Sequence, residues 1–178
     1  MTTFGQVRGS RVELAAMSTA IRKTDLIDSV AAALQYISYY HPADYIKHLA
    51  RAYEREESPA AKDAIAQILT NSRMCAEGRR PICQDTGIVN VFLKVGMDVR
   101  WEGFEGGSVA DAVNAGVRKA YLNPDNVLRA SVLEDPLFAR RNTRDNTPAV
   151  IHTELVPGCK SKSRSPPKAA AARISRSL

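Results

Sequence analysis

The chain reads as a mixed α/β domain in which N-terminal helices precede a small sheet with further helices packed on it. Two observations carry that reading. Three successive segments between residues 24 and 78 repeat apolar side chains at helical spacing, and the β-branched, largely apolar run Ile88–Val95 follows them. With 178 residues there is material for roughly one core.

Taken in order, Thr24 is placed to cap a first helix whose stripe is Ile27, Val30, Ala31, Leu34 and Ile37. Pro42 suits the first turn of a second, with Ile46, Leu49, Ala50 and Tyr53 on one face and Lys47, Arg51, Glu54 and Glu57 on the other. Ser58-Pro59 opens a third whose apolar face is Ala64, Ile65, Ile68 and Leu69, and Gly78 is its stop. Ile88–Val95 is a buried strand closed by Gly96. Asp98–Trp101 alternates as a second extended run, and Gly103, Gly106 and Gly107 mark a loop. Ser108 caps a fourth helix carrying Val109, Val113, Val117 and Ala120, which ends near Asn123-Pro124. Residues 140–148 are polar and loop-like, and Ala149–Val156 alternates as a last strand closed by Pro157-Gly158.

Hydrophobic residues make up 44% and charged residues 25%, the balance of a globular chain rather than a disordered one. No stretch approaches the roughly 20 apolar residues of a membrane span, and none resembles a secretory h-region, so a cytoplasmic location is expected. Three cysteines, Cys75, Cys83 and Cys159, make no disulfide framework and favour a reducing compartment with a metal or reactive thiol. The net charge of +6 invites a nucleic-acid reading, but six of the 25 basic residues lie in 159–178 with no acid among them. The rest of the chain is neutral. Ser-rich, with Pro166-Pro167 and no aromatic residue, that tail is expected to lack order, and nucleic-acid binding through it is the weaker alternative.

The chemistry concentrates at Arg80-Pro81-Ile82-Cys83-Gln84-Asp85-Thr86-Gly87, a loop between a helix and an apolar strand that gathers a thiol, an amide, a carboxylate and a hydroxyl. Cys83 is a candidate metal ligand, because thiolates hold iron–sulfur clusters, and Asp85 is a candidate acid/base. From the residues alone, Asp85 also reads as a loop anchor through backbone N–H groups and Arg129 as a solvated charge. Cys75 sits on the third helix beside Met74 and Ala76 and reads as a buried thiol. His41, His48 and His152 read as helix-end, surface or strand residues.

From Lys23 to Gly158 the chain resembles the N-terminal part of class I fumarate hydratases, iron–sulfur hydro-lyases related to the tartrate dehydratase alpha subunit. The likeness rests on Asn71-Ser72-Arg73-Met74, the Pro81–Gly87 loop, Leu128-Arg129-Ala130-Ser131 and Asn146-Thr147-Pro148-Ala149, in that order. It implies a [4Fe–4S] cluster held by three cysteines, with one iron open to substrate, and Cys83 matches the first cysteine. It also implies Gln84 and Asp85 facing a dicarboxylate (fumarate or L-malate), Asp85 as proton carrier and Arg129 as a carboxylate clamp. A homodimer is implied for the intact family member.

After Gly158 the resemblance fails, for the basic tail stands where a glycine-rich Lys-Gly-Gly-Gly-Ser segment should soon follow. Codons permitted for Cys159 through Arg176, read in the frame that begins at each third base, can spell Gln-Val-Glu-Val-Lys-Val-Ala-Ala-Lys-Gly-Gly-Gly-Ser-Glu-Asn-Lys-Ser. A frameshift is therefore expected, and codons incompatible with that reading would refute it. Residues 1–22 read as an N-terminal extension, with Met17 an alternative start, 23–158 as a partial hydro-lyase domain and 159–178 as the altered tail. Cys159 is then no cluster ligand, and the chain alone is expected to be inactive. An alpha-type subunit that completes its site with a partner is the second alternative.

Overall fold

The computed structural model describes residues 19–83 and 87–158 in full and residues 170–177 as backbone. Four helices and seven strands are found among the described residues, in a mixed α/β arrangement. The chain enters extended as β1 (Ala20–Arg22) and turns directly into α1 (Lys23–Tyr39), so Arg22 rather than Thr24 stands at the helix N-cap. No side chain caps this end; instead Arg22 Nε donates to Asp25 Oδ2 at 2.8 Å, placing a carboxylate in the first turn where the helix dipole favours it. β1 can do without a turn because it pairs in parallel with β3 (Arg100–Glu102), a shorter and later strand than Asp98–Trp101 suggests.

The helices α2 (Ala43–Arg55) and α3 (Pro59–Gly78) pack on each other. Pro42 is the N-cap of α2, and the stripe Ile46, Leu49, Ala50 and Tyr53 is half-buried, none of it fully so. Ser58 caps α3 by accepting from Ala61 N–H, as its sequence implies. On α3 only half of the expected apolar face is covered: Ile65 and Leu69 are half-buried, while Ala64 and Ile68 line an open groove of about 570 Å³ with His41, Gln67, Asn71 and Ile82. The helix ends on Gly78, and it is Arg79 that takes the left-handed conformation, at φ 47°.

α4 (Val109–Tyr121) begins at Ser108 with a reciprocal capping box. Ser108 Oγ accepts from Asp111 N–H at 3.1 Å while Asp111 Oδ2 accepts from Ser108 N–H at 2.8 Å. Replacing Ser108 by Ala removes one half of the box, so a thermal melt should register a loss of about 1 kcal/mol.

The core forms where α1 and α4 cross over one face of β2 (Ile88–Gly96). Alternation does the sorting: Val89, Val91, Leu93 and Val95 are buried, together with Leu26, Val30, Ala31 and Leu34 of α1 and Ala112, Val113, Val117 and Ala120 of α4. A buried polar knot fixes the segment after α4 to α1. Gln35 Nε2 donates to the carbonyls of Ala120 (2.6 Å) and Asn126 (3.0 Å), and Asn126 Nδ2 donates back to Gln35 Oε1 (2.7 Å). Both atoms of the Gln35 amide and Asn126 Nδ2 are answered, as burying such a pair requires.

β2 is the middle strand of a three-stranded sheet ordered β6-β2-β7. β6 (Val150–Val156) runs parallel to β2, with Asn90 opposite Val150 and Gly96 opposite Val156. β7 (Ala170–Ser177) runs antiparallel on the other side, with Ile88 opposite Ser177. This corrects the expectation that 159–178 lacks order throughout. The compositional argument weighs side-chain burial, whereas an edge of β2 offers backbone N–H and C=O groups that any non-proline segment can satisfy. Two short strands, β4 (Leu133–Glu134) and β5 (Arg141–Asn142), pair antiparallel within the loop region before β6.

Candidate active site

The loop that carries Cys83 is braced on both flanks. On the approach, Ile82 N–H donates to Ser38 O at 2.8 Å and Asn71 Nδ2 donates to Ile82 O at 3.2 Å, tying the loop to the C-terminal end of α1 and to α3. The buried Cys75 thiol contacts Asn71 Oδ1 (3.5 Å) and Pro81 O (3.6 Å) from below. Cys75 is thus a packed thiol engaged with the loop backbone, as the sequence implies, and Cys83 is exposed at the surface.

On the exit side the anchor is Asn146, which is completely buried. Its Oδ1 accepts from Ser131 N–H at 2.7 Å and Val132 N–H at 3.1 Å, and its Nδ2 donates to Gly87 O at 3.0 Å. Ser131 Oγ donates to the same Gly87 carbonyl at 3.0 Å. Three segments that are remote in sequence, the Cys83 loop, 129–132 and 146–149, therefore meet around one carbonyl. Asn suits the position because its backbone is left-handed there (φ 59°), a conformation Asn tolerates better than most residues. Since β2 and β6 are parallel, Gly87 and Ala149 enter the sheet from the same edge. The site lies at the amino ends of these two strands, unlike the carboxyl-end crevice of open doubly wound sheets.

Behind Asn146, Asp145 holds the turn. Its Oδ1 accepts from Thr147 N–H (3.0 Å) and Thr147 Oγ1 (2.7 Å), and its Oδ2 accepts from Arg118 Nε of α4 (2.7 Å). Burial alone would push this carboxyl up, but the Thr147 and Arg118 hydrogen bonds outweigh it and hold the group below its ordinary value. A depressed carboxylate contributes stability above its unfolded pKa and loses it as pH falls. Denaturant titrations should therefore show the protein weakening below about pH 5, with a shallower decline once Asp145 is replaced by Asn.

Of the residues expected to act, Cys83 and Arg129 are exposed, and Arg129 stands between buried Leu128 and the Ser131 that touches Gly87. Gln84 and Asp85 lie outside the described residues, as does Cys159. The histidines fall apart from one another: His41 precedes α2 with Nδ1 3.0 Å from Ser72 Oγ and its pKa lowered by burial, His48 is exposed on α2, and His152 stacks on Phe92 across β2 and β6. Asn71 and Asn146 are the residues to which the sequence assigned no role. Both stand in the quoted segments, yet nothing local distinguishes an asparagine that bonds across 59 residues from one in a solvated turn.

A four-iron cluster needs three or four protein ligands. No group of three or more His, Cys, Asp or Glu side chains able to hold a metal occurs among the described residues. Cys75 is turned to Asn71 and Pro81, which leaves Cys83 as the one cysteine of the described residues exposed at the loop. A single thiolate does not fit a cluster that proteins hold with three or four ligands, so the described residues by themselves do not make that site.

Fold and site define a mixed α/β unit whose polar, cysteine-bearing loop is braced at the amino edge of a parallel strand pair. Residues 27–174 match the family model described as "Fumarate hydratase (Fumerase)", and the chain belongs to that family. The match runs past Gly158, where the resemblance traced by motifs stops. Among curated relatives it is 32% identical over 93 residues to a putative L(+)-tartrate dehydratase subunit alpha of Methanocaldococcus jannaschii, covering 52% of this chain and 32% of that protein. It is 31% identical over 117 residues to the anaerobic class I fumarate hydratase of Escherichia coli, covering 66% of this chain and 20% of that protein. With the aerobic class I enzyme of the same organism it shares 36% over 103 residues, 58% of this chain and 18% of that protein. The chain thus spans between a fifth and a third of the length of the first two relatives.

Among the described residues no helix is long and apolar enough to cross a membrane.

Proposed function

We propose that this chain carries the first part of the substrate site of an iron–sulfur hydro-lyase that, in intact form, reversibly hydrates fumarate to L-malate. The observation that supports it most directly is the Asn146 junction, which gathers the Cys83 loop and the Arg129 segment around the Gly87 carbonyl. In this reading Cys83 supplies one cluster thiolate, Gln84 and Asp85 face the dicarboxylate, Asp85 carries the proton, and Arg129 clamps a carboxylate by its planar fork. The same reading implies a cytoplasmic enzyme of the tricarboxylic acid cycle and a homodimer.

Because one thiolate does not hold the cluster, the chain alone is inactive in this proposal. Anaerobic reconstitution with iron and sulfide should leave no stable cluster absorbance and no fumarate hydration; hydration at an enzymatic rate by the purified chain would overturn the proposal. The likeness to a dehydratase named as a subunit supports a second reading, in which the site is completed by a partner polypeptide. Co-purification of this chain with a cluster-bearing partner would favour that reading over the first.

A further inference from the structure

The peptide group that joins Ile82 to Cys83 has its carbonyl held by the side chain of Asn71. We propose that Asn71 is a positioning residue for Cys83: it orients the peptide plane that carries the cysteine, and the Cys75 thiol in turn orients Asn71. The inference rests on the reading of Cys83 as a cluster thiolate.

The end of α3 brings these groups together. Asn71 and Cys75 lie one turn apart on the helix and so share a face. Past Gly78 the left-handed Arg79 reverses the chain, Arg80 N–H closes on Cys75 O at 3.0 Å, and Pro81 and Ile82 run back past that face. Three contacts then fix the two peptide planes ahead of Cys83. In the first plane, Pro81 O meets Cys75 Sγ at 3.6 Å while Ile82 N–H donates to Ser38 O at 2.8 Å. In the second, Ile82 O accepts from Asn71 Nδ2 at 3.2 Å. A trans peptide is planar, so the direction of the Ile82 carbonyl also sets where Cys83 Cα lies.

The Asn71 amide works only one way round. Its Oδ1 faces the Cys75 S–H, a donor, at 3.5 Å, and its Nδ2 faces a carbonyl, an acceptor. A flipped amide would set acceptor against acceptor at Ile82. Asn71 is exposed and borders the open groove that His41, Gln67 and Ile82 also line. Water from that groove replaces a lost amide at the Ile82 carbonyl, so losing Asn71 leaves no buried group unanswered and costs little global stability. Water does not fix the direction of the carbonyl. Asn71 differs in this from Asn146, which is completely buried.

Nitrogen-15 relaxation of the full chain under reducing conditions reads the effect at the cysteine itself. The wild-type Cys83 amide should have the order parameter of rigid backbone, about 0.85, and Asn71→Ala should lower it toward the flexible range, below about 0.6. Asn71→Asp is nearly isosteric and keeps the acceptor for Cys75, but it turns an oxygen toward the Ile82 carbonyl. It should lower the order as far as alanine does, whereas a packing role alone would tolerate it. Urea midpoints of both variants should stay close to that of the wild type. Gln67→Ala is the control: Gln67 lines the same groove but bonds Asp63 of its own helix at 2.7 Å, so Cys83 should keep its order. Wild-type order at Cys83 in Asn71→Asp would overturn the proposal, and so would an equal loss of order at Ser131 and Val132 or a Cys83 amide already flexible in the wild type. The measurement needs no cluster, which keeps the two proposals separable. Order at Cys83 that ignores Asn71 overturns the positioning alone, whereas fumarate hydration by the purified chain overturns only the function proposed above.

Discussion

Gly116→Ala will destabilise the protein by about 2 kcal/mol, although alanine is the better helix former. A Cβ at this position in α4 would stand 2.7 Å from Val30 Cβ, 2.8 Å from Ile27 O and 2.9 Å from Val30 Cγ1. Ordinary carbon contacts lie near 3.5–4.0 Å. Two of the three opposing atoms are fixed by the backbone of α1, so no rotamer change relieves the contact and the helices must separate. Overpacking of this sort costs about 1–3 kcal/mol, its upper end applying where the neighbours cannot yield, against a propensity gain of about 1 kcal/mol. Gly78 provides the control. It closes α3 with only Arg80 Cγ within reach, at 3.5 Å, so Gly78→Ala should be neutral or stabilising. Urea midpoints of the two variants should therefore move in different directions at a constant slope. A Gly116→Ala midpoint equal to that of the wild type would mean that α1 and α4 are not in this contact.

The Gly116 contact belongs to the part of the fold that was legible in the sequence. α1, α3, α4 and β2 are long and periodic, and their ends carry local punctuation such as Ser58-Pro59 and Ser108, so short-range patterns locate them. The misplacements have a common cause in distant partners. Thr24 lost the cap of α1 because β1 is held by β3, nearly 80 residues away, and carries the chain straight into the helix. Ala64 and Ile68 follow helical spacing, yet the face they form borders a groove rather than core, because α3 ends against the Cys83 loop instead of the sheet. β7 was invisible to composition since its order comes from β2. In the candidate site, residue types and spacing pointed to the loop, and the family resemblance to Arg129. They did not reveal that both depend on one asparagine.

Asn146→Ala should therefore cost about 3–5 kcal/mol, near the upper limit for a single substitution, and its damage should concentrate at the site. The change removes the acceptor of the Ser131 and Val132 N–H groups and one of the two donors to Gly87 O. Unanswered polar groups cost about 1–3 kcal/mol each where water cannot reach them, and partial exposure of Ser131 keeps the total below the simple maximum. Alanine also tolerates φ 59° less well than asparagine, by about 1 kcal/mol. Asn146→Gly separates these causes, since it relieves the backbone and still loses every hydrogen bond; it should recover only about 1 kcal/mol. Asn146→Asp keeps an acceptor for the two N–H groups, loses the donor to Gly87, and places a carboxylate at a fully buried position, so it should not rescue. Amide exchange gives the local readout. Protection at Ser131 and Val132 should fall in all three variants, together with faster proteolysis within residues 83–87, while the Gln35–Asn126 knot between α1 and the end of α4 keeps its protection. Uniform loss of protection over both regions would make Asn146 a general core residue. Selective loss would identify it as the residue that holds the Cys83 loop and the Arg129 segment in one place.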